Sequence, residues 1–571
     1  MALAEQTSPE HFDLVVVGSG FGGSVMAYRA AEAGLRVCLL ERGRSYPPGS
    51  FPRSPYRMKT NLWDPSEGLY GMFSIWSFTG IDVVAASGLG GGSLIYGSAL
   101  IRKDERWFVR EEPRDGGYEY WPVTRNQLEP HYDRAERMLN AQTYPMAFPP
   151  YAATPRTLAF RQAAERLGLD WFNPKLAVTF ANPGHDPAPG EPIAEEFANL
   201  HGRTRLTCRL CGECDLGCNY GSKNTLDYTY LSAAQRFGAE LRPLCEVRSF
   251  APRRGGGYAI DYVRHEAAHE GRPTMTHDPA VLPPRSLTAD RLVLAAGTLG
   301  STFLLLKNAA AFPGLSGQLG TRFGGNGDML TLALNCSDMV GGQRVPRIVD
   351  ASYGPVVTIG LRVPDALDGG EGRGFYIEDA GYPEFFNWIL QANDINALLR
   401  LPSLLRRLVG RWLRADQETN FAAELSRLYG STELSAGLLP MIATGRDVAD
   451  GRMRLERGIL EVDWRNERAG PYFDRVNETM GRLIEALGGT RLQFPTRYLN
   501  RLISAHPLGG CPMGRHAGEG VVDAHGEVFG YPGLYVADGS VMPGPVGANP
   551  SLTIAALADR FADRLIAQAR R

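Results

Sequence analysis

Two groups of residues in this sequence are spaced for chemistry. Cys208, Cys211, Cys214 and Cys218 lie in "CRLCGECDLGC" with the spacing C-x2-C-x2-C-x3-C, and they are half of the chain's eight cysteines. That is the spacing of a ferredoxin half-motif, except that Asn219 stands where proline usually follows the fourth cysteine. Such sulfurs can hold an iron–sulfur cluster, bind zinc, pair as disulfides, or stay as reduced thiols packing a tight loop. No second run follows, so a cubane would need Cys218 itself or a remote cysteine. The second group is Gly18, Gly20 and Gly23, a G-x-G-x-x-G between an apolar run at residues 14–17 and an alanine-rich stretch, with Glu41 closing the next apolar run, Val37–Leu40. Strand, glycine turn, helix, strand and acid make a complete dinucleotide-binding unit. The turn lets backbone approach a pyrophosphate, the helix N-terminus favours its charge, and Glu41 can bind ribose hydroxyls.

Other elements must position these groups. Residues 83–100, "VVAASGLGGGSLIYGSAL", have no helical period before their glycines and read as a loop pressed against a flat or anionic ligand. Residues 290–306 repeat strand, small-residue turn and helix, and Ala295-Ala296-Gly297 would close the dinucleotide unit from the other side. Between about 330 and 490, alternating segments such as "VVTIGLRV" (356–363) predict antiparallel strands facing a substrate. Residues 397–414, "ALLRLPSLLRRLVGRWLR", carry arginines but no acids, and predict a helix pair broken at Pro402 with a solvated basic face. The same segment could cover an apolar cavity or touch a membrane surface. Near the C-terminus, glycine- and proline-rich turns bracket the strand "GLYVADGS" before a long terminal helix.

At 571 residues the chain is long enough for several domains or one large discontinuous enzyme. Hydrophobic residues at 44% and charged residues at 21% are ordinary globular values, and a net charge of −2 gives no reason to expect nucleic acid. The first residues lack a basic region followed by an apolar run, and no apolar stretch reaches a membrane-spanning length, so the expected location is cytoplasmic. The remaining cysteines are scattered, unlike a secreted disulfide scaffold.

Six blocks in order resemble the glucose–methanol–choline (GMC) oxidoreductases, and within them the bacterial cholesterol oxidases: "GSGFGGS", "GLGGGSL", "GSKNTLDYTYL", "VLAAGTLGS", "HPLGGC" and "VADGSVMPGPVGANPSLTIAALADR". The resemblance implies a mixed α/β fold: a Rossmann-like FAD-binding domain built from discontinuous segments, plus a substrate-binding domain with a mainly antiparallel sheet. The expected division is 10–125, 206–325 and 491–571 for the FAD domain, with the cysteine loop in its second part, 126–205 for a cap insertion, and 326–490 for the substrate domain. The FAD-lining residues it implies are Gly18, Gly20, Gly23, Glu41, Gly90, Gly91, Gly92, Ser93, Val247, Gly297, Asp538 and Asn549. No histidine lies in "GGGSLIYGSAL", where some relatives attach FAD covalently, so non-covalent FAD is expected.

The resemblance also assigns the chemistry. His506 opens "HPLGGC" and matches the active-site histidine; Asn549 in "GANPSLT" matches its partner asparagine. An imidazole can take the hydroxyl proton as hydride leaves an alcohol carbon, and an amide can orient the alcohol oxygen. Glu378, in "RGFYIEDAGYPEFF", falls where cholesterol oxidases carry the base for double-bond isomerisation, with Asp379 beside it as a rival. The expected reaction is oxidation of a hydrophobic, sterol-like secondary alcohol to a ketone with oxygen as acceptor. The alternatives are a dehydrogenase passing electrons elsewhere, through a cluster at the cysteine run, then a lyase or decarboxylase, then a non-catalytic flavoprotein. Some relatives lack the cysteine run, which implies an accessory role for it.

Overall fold

The computed structural model describes residues 9–111, 118–267, 270, 281–387, 402–407, 409–410, 413, 433–464, 467–492 and 501–571. Its central sheet is assembled from distant parts of the chain. Strand Glu10–Val17, buried from Leu14 onward, pairs in parallel with Val37–Leu40 on one side and with Arg285–Leu294 on the other. Glu240–Arg242 lies outside Val37–Leu40, and Leu534–Val536 adds in parallel to Arg285–Leu294. Tyr258–Arg264 and Cys245–Pro252 extend the sheet antiparallel. Near-continuous apolar strands such as "LVVV" are what a parallel sheet covered on both faces requires.

Helix Phe21–Glu32 follows the first strand, and the terminal helix Ser551–Ala569 packs beside it. Asp559 of the terminal helix, only 2% exposed, joins Arg29 of the first helix to Arg134 and His131 of the helix Arg125–Met138. Burial opposes the charge on Asp559, but His131, Arg134 and Arg29 outweigh it and hold the carboxyl down at about 2.

A second sheet is antiparallel throughout, in the order Trp171–Phe172, Gly360–Val363, Phe375–Asp379, Leu439–Gly445, Met329–Leu334, Thr490–Leu492. Helix Gly470–Ala486 covers it with Tyr472, Val476, Met480, Leu483 and Ile484, which lie on one face at helical spacing. Of the predicted run 356–363 only Gly360–Val363 is strand, because Thr358 and Ile359 give their N–H groups to the Asp379 carboxylate instead of a ladder. Half of segment 397–414 lies outside the described residues; its described residues, 402–407, 409–410 and 413, are helical. No helix among the described residues is long and apolar enough to cross a membrane.

Asp559→Asn leaves two arginines and a histidine without their shared carboxylate. The expected loss is about 3 kcal/mol of stability, read as a lower denaturant midpoint at neutral pH. Because the folded carboxyl is held low, this stabilisation is present above about pH 4 and disappears as pH falls towards 2. An unchanged midpoint would show that the cluster does not hold the three helices together.

Candidate active site

The glycine turn divides into two kinds of position. At Gly18 φ is +97°, and an added Cβ would lie 2.3 Å from Ala295 O, so the turn is pressed against the 295–297 segment. A Cβ at Gly20, Gly92 or Gly297 would meet no atom within 4 Å, so these three glycines border open space. Gly91 brings the second glycine loop against Gly20, where its Cβ would stand 2.5 Å from Gly20 Cα. Ser93 Oγ accepts from Leu226 N and donates to Gly90 O, which fixes the loop's bend. The first helix has no side-chain cap and no acid in its first turn, which leaves its N-terminal N–H groups for an anion.

Glu41 is buried and already in use. Its Oε2 accepts from Ser19 N (3.0 Å) and Ser19 Oγ (2.7 Å), and its Oε1 from Gly43 N (2.8 Å). It therefore holds the turn, with lone pairs left for a ribose. Cys245 N donates to Glu41 O, which starts the strand carrying Val247 at this end of the sheet. Asp538 accepts from Gly297 N (3.0 Å) and Ser540 N (2.9 Å), so its side chain clamps the 295–297 turn.

His506 and Asn549 meet Glu378 at the second sheet. Asn549 Nδ2 donates to Glu378 Oε2 at 3.1 Å. Glu378 Oε1 and Asn549 Oδ1 are buried without a hydrogen-bond partner. Burial pushes the Glu378 carboxyl up to about 7; the Asn549 bond and His506 oppose this, and Asp379 and Asp328 add to it. Asp379 is no rival. Its oxygens accept from Thr358 N, Thr358 Oγ1 and Ile359 N, and Arg156 pairs with it at 3.1 Å, both side chains fully buried.

Two further carboxylates were not foreseen from the sequence. Asp328 Oδ1 binds His506 Nδ1 at 2.7 Å, while Oδ2 accepts from Ser504 Oγ (2.9 Å), Ala505 N (2.8 Å) and His506 N (3.0 Å). Burial would lower the imidazole, but Asp328 outweighs it, with help from Glu378 and Asp215, and holds His506 above its ordinary value. Two residues earlier, Asn326 accepts from Gly547 N and donates to Ala548 O, both at 2.9 Å, beside Asn549. The signal for this loop, "GGNGD", is too short to name a partner.

The second is Asp215, inside the cysteine run. Its Oδ1 lies 4.0 Å from where a Cβ on Gly97 would stand, and it is within electrostatic reach of His506. Burial pushes it up to about 6 against Lys223, Arg156 and His506. Lys223 of "GSKNTL" donates to Leu94 O (2.9 Å), Tyr96 O (3.2 Å) and Cys214 O (2.7 Å), tying the cysteine loop to the glycine loop. The run is thus adjacent to the site.

The cluster reading gains nothing from this geometry. All four cysteines are unbridged, and among the described residues no group of three or more His, Cys, Asp or Glu can hold a metal ion. Burial, followed by the neighbouring thiols, pushes Cys211 up to about 12; Cys214 rises to about 11. Backbone contacts hold the loop: Gly212 N donates to Gly354 O, Gly354 N to Leu210 O, and the Asn219 amide bonds both the N–H and the carbonyl of Phe51.

Residues 474–558, which contain His506 and Asn549, match the family described as GMC oxidoreductase, and residues 16–49 match an NAD(P)-binding Rossmann-like domain. Over 575 residues the chain is 29% identical to a cholesterol oxidase of Mycobacterium tuberculosis (strain CDC 1551 / Oshkosh), covering 96% of this chain and 90% of that one. The chain is similar to the GMC oxidoreductases. It is also 26% identical to a cholesterol oxidase of Acinetobacter baumannii (96% and 93% covered) and 27% identical to paromamine 6'-oxidase of Streptomyces fradiae (96% and 90%). The fold matches the crystal structure of pyridoxine 4-oxidase from Mesorbium loti, with TM-score 0.54 and 15% identity over 97% of this chain and 98% of that one. GMC oxidoreductases bind FAD and act on CH–OH donors. The residues present fit that cofactor: three glycines with no atom within 4 Å of an added Cβ, an uncapped helix N-terminus, and the buried Glu378 Oε1 and Asn549 Oδ1 without partners.

Asp328→Asn removes the charge that raises His506 and keeps an acceptor for its Nδ1. The acid limb of flavin reduction should move to lower pH, and the limiting rate should fall about 10-fold or more. Stopped-flow traces across pH test this; an unmoved limb would mean that Asp328 serves only the backbone.

Proposed function

We propose that the protein oxidises a hydrophobic, sterol-like secondary alcohol to a ketone, with oxygen as electron acceptor. The observation that carries this reading is the joining of Asn549 to Glu378, a carboxyl pushed up to about 7, beside a histidine braced by Asp328. A site that only oxidised alcohols would need the histidine and the amide, but not a second buried acid poised near neutrality. The full-length similarity to two cholesterol oxidases supports it.

The roles follow from the contacts. Nδ1 of His506 is held by Asp328, which leaves Nε2 to accept the alcohol proton. The carboxylate then stabilises the imidazolium formed. Asn549 orients the alcohol oxygen, and the N-terminus of helix Ser551–Ala569 behind it favours negative charge at that edge. Bound FAD supplies the hydride acceptor; we read it as held non-covalently, since no histidine occurs in residues 88–100. Glu378 Oε1 is free to take a proton from carbon next to the new ketone and return it further along a 5-ene steroid. Asp215 favours a second reading, a substrate with an additional hydrogen-bond donor, because this carboxylate reaches the site without a strong donor of its own.

A panel of 5-ene sterols and polyhydroxy alcohols under anaerobic conditions, followed by flavin bleaching, separates the two. Bleaching by the polyhydroxy members alone would remove the sterol reading. His506→Ala should slow flavin reduction by about 10²-fold or more; an unchanged rate would move the proton acceptor elsewhere. With a 5-ene sterol, isomerisation should rise with pH through about 7 as Glu378 loses its proton. Glu378→Gln should release the unconjugated ketone at every pH, and a conjugated product from this variant would remove Glu378 from the mechanism.

A further inference from the structure

A cleft of about 610 Å³, whose lining includes none of His506, Asn549 and Glu378, is walled by Pro543-Gly544-Pro545 on one side and by residues 446–452 on another. Its described lining holds six arginines, Arg322, Arg373, Arg446, Arg452, Arg468 and Arg515, against four carboxylates, Glu119, Asp447, Asp450 and Glu519. Asp365, just outside the lining, adds a fifth carboxylate through Arg446, so guanidinium groups outnumber carboxylates by one among these described residues. Internal pairing is uneven. Arg515 meets Glu519 at 2.6 Å and Arg446 meets Asp365 at 2.8 Å, while Arg468 is 3.9 Å from Asp450.

Like charges are crowded here. Arg373 donates to the carbonyls of Arg446 (3.3 Å) and Asp447 (3.2 Å), and burial, then Arg446, lower its guanidinium to about 10, with Arg468 adding to this. Asp447 is 1% exposed and has one oxygen, Oδ1, without a hydrogen-bond partner; burial pushes its carboxyl up to about 7, which reduces the negative charge it offers these arginines. Guanidinium forks suit the paired oxygens of phosphate and carboxylate groups. The volume is that of a small-molecule site and far exceeds one inorganic ion.

We propose that this cleft binds a small, multiply charged anion carrying phosphate or carboxylate groups, at a site separate from the alcohol and the flavin. Arg373 and Arg446 form its base, and the more exposed Arg452 and Arg468 close on the ligand from the rim. The site touches the catalytic framework through Asp447, whose Oδ2 accepts from Gly325 N (3.0 Å) in the loop that carries Asp328.

The test uses the FAD-loaded protein, so that the dinucleotide site is filled, with inorganic pyrophosphate and citrate as separate probes and sodium chloride at matched ionic strength as reference. Calorimetry should show saturable binding of at least one probe, and its identity distinguishes phosphate from carboxylate. At roughly 100 times the dissociation constant, the melting temperature should rise by about 2 °C over the chloride reference. Arg452→Glu with Arg468→Glu alters two exposed side chains; it should weaken binding about 10-fold or more while flavin content and alcohol oxidation stay at the parent level. Heats no greater than the chloride reference for both probes, or equal affinity in the double variant, would overturn the proposal. Neither result bears on alcohol oxidation, which the alcohol panel tests separately.

Discussion

The buried carboxylate of Asp328 is the constraint on which the site depends. It is 4% exposed and gathers three donors from residues 504–506 together with the ring of His506. Hydrogen bonds to a charged group contribute about 1.5–3 kcal/mol each, and four of them offset the cost of taking one carboxylate out of water. The same five-residue loop reaches Gly547 and Ala548 through Asn326 and Asp447 through Gly325. Histidine, asparagine and the start of strand Met329–Leu334 therefore share one foundation, and a shift of that loop would displace all three together.

The active-site carboxylates differ because their surroundings differ. Asp379 has an arginine and three donors and serves as a structural anion. Its neighbour Glu378 has one amide bond and otherwise apolar burial, so its charged form is disfavoured. Adjacent residues on a strand point to opposite faces, which is how two acids side by side in sequence acquire opposite roles.

The nucleotide-binding half was legible because its signals are local. Strand Val37–Leu40 and Glu41 fall where the glycine spacing places them, and one turn of chain contains the whole argument. Asp328 was not legible: its partner lies 178 residues away, and nothing in "GGNGD" distinguishes a histidine brace from a surface turn. The cysteine run left several readings open for the opposite reason. Its spacing is strongly associated with metal, yet here Gly212, Asn219 and Lys223 fix the loop through backbone contacts, and the informative residue between the cysteines is Asp215. Residues 356–359 read as strand because alternation records burial, which a loop under a sheet also satisfies.

The order of strands in the central sheet has a consequence for how the protein comes into being. The turn at Gly18 is made early in synthesis, but its cover at Ala295-Ala296-Gly297 is clamped by Asp538, and the outer parallel strand is Leu534–Val536. At translation rates of about 5–20 residues per second, roughly 25–100 s separate Glu41 from Asp538 at the ribosome. For that interval the nascent chain exposes an open-edged sheet with an unfinished nucleotide cradle. A complete cradle thereby waits for Leu534–Val536 and Asp538, and the growing chain keeps its open sheet edge until they arrive.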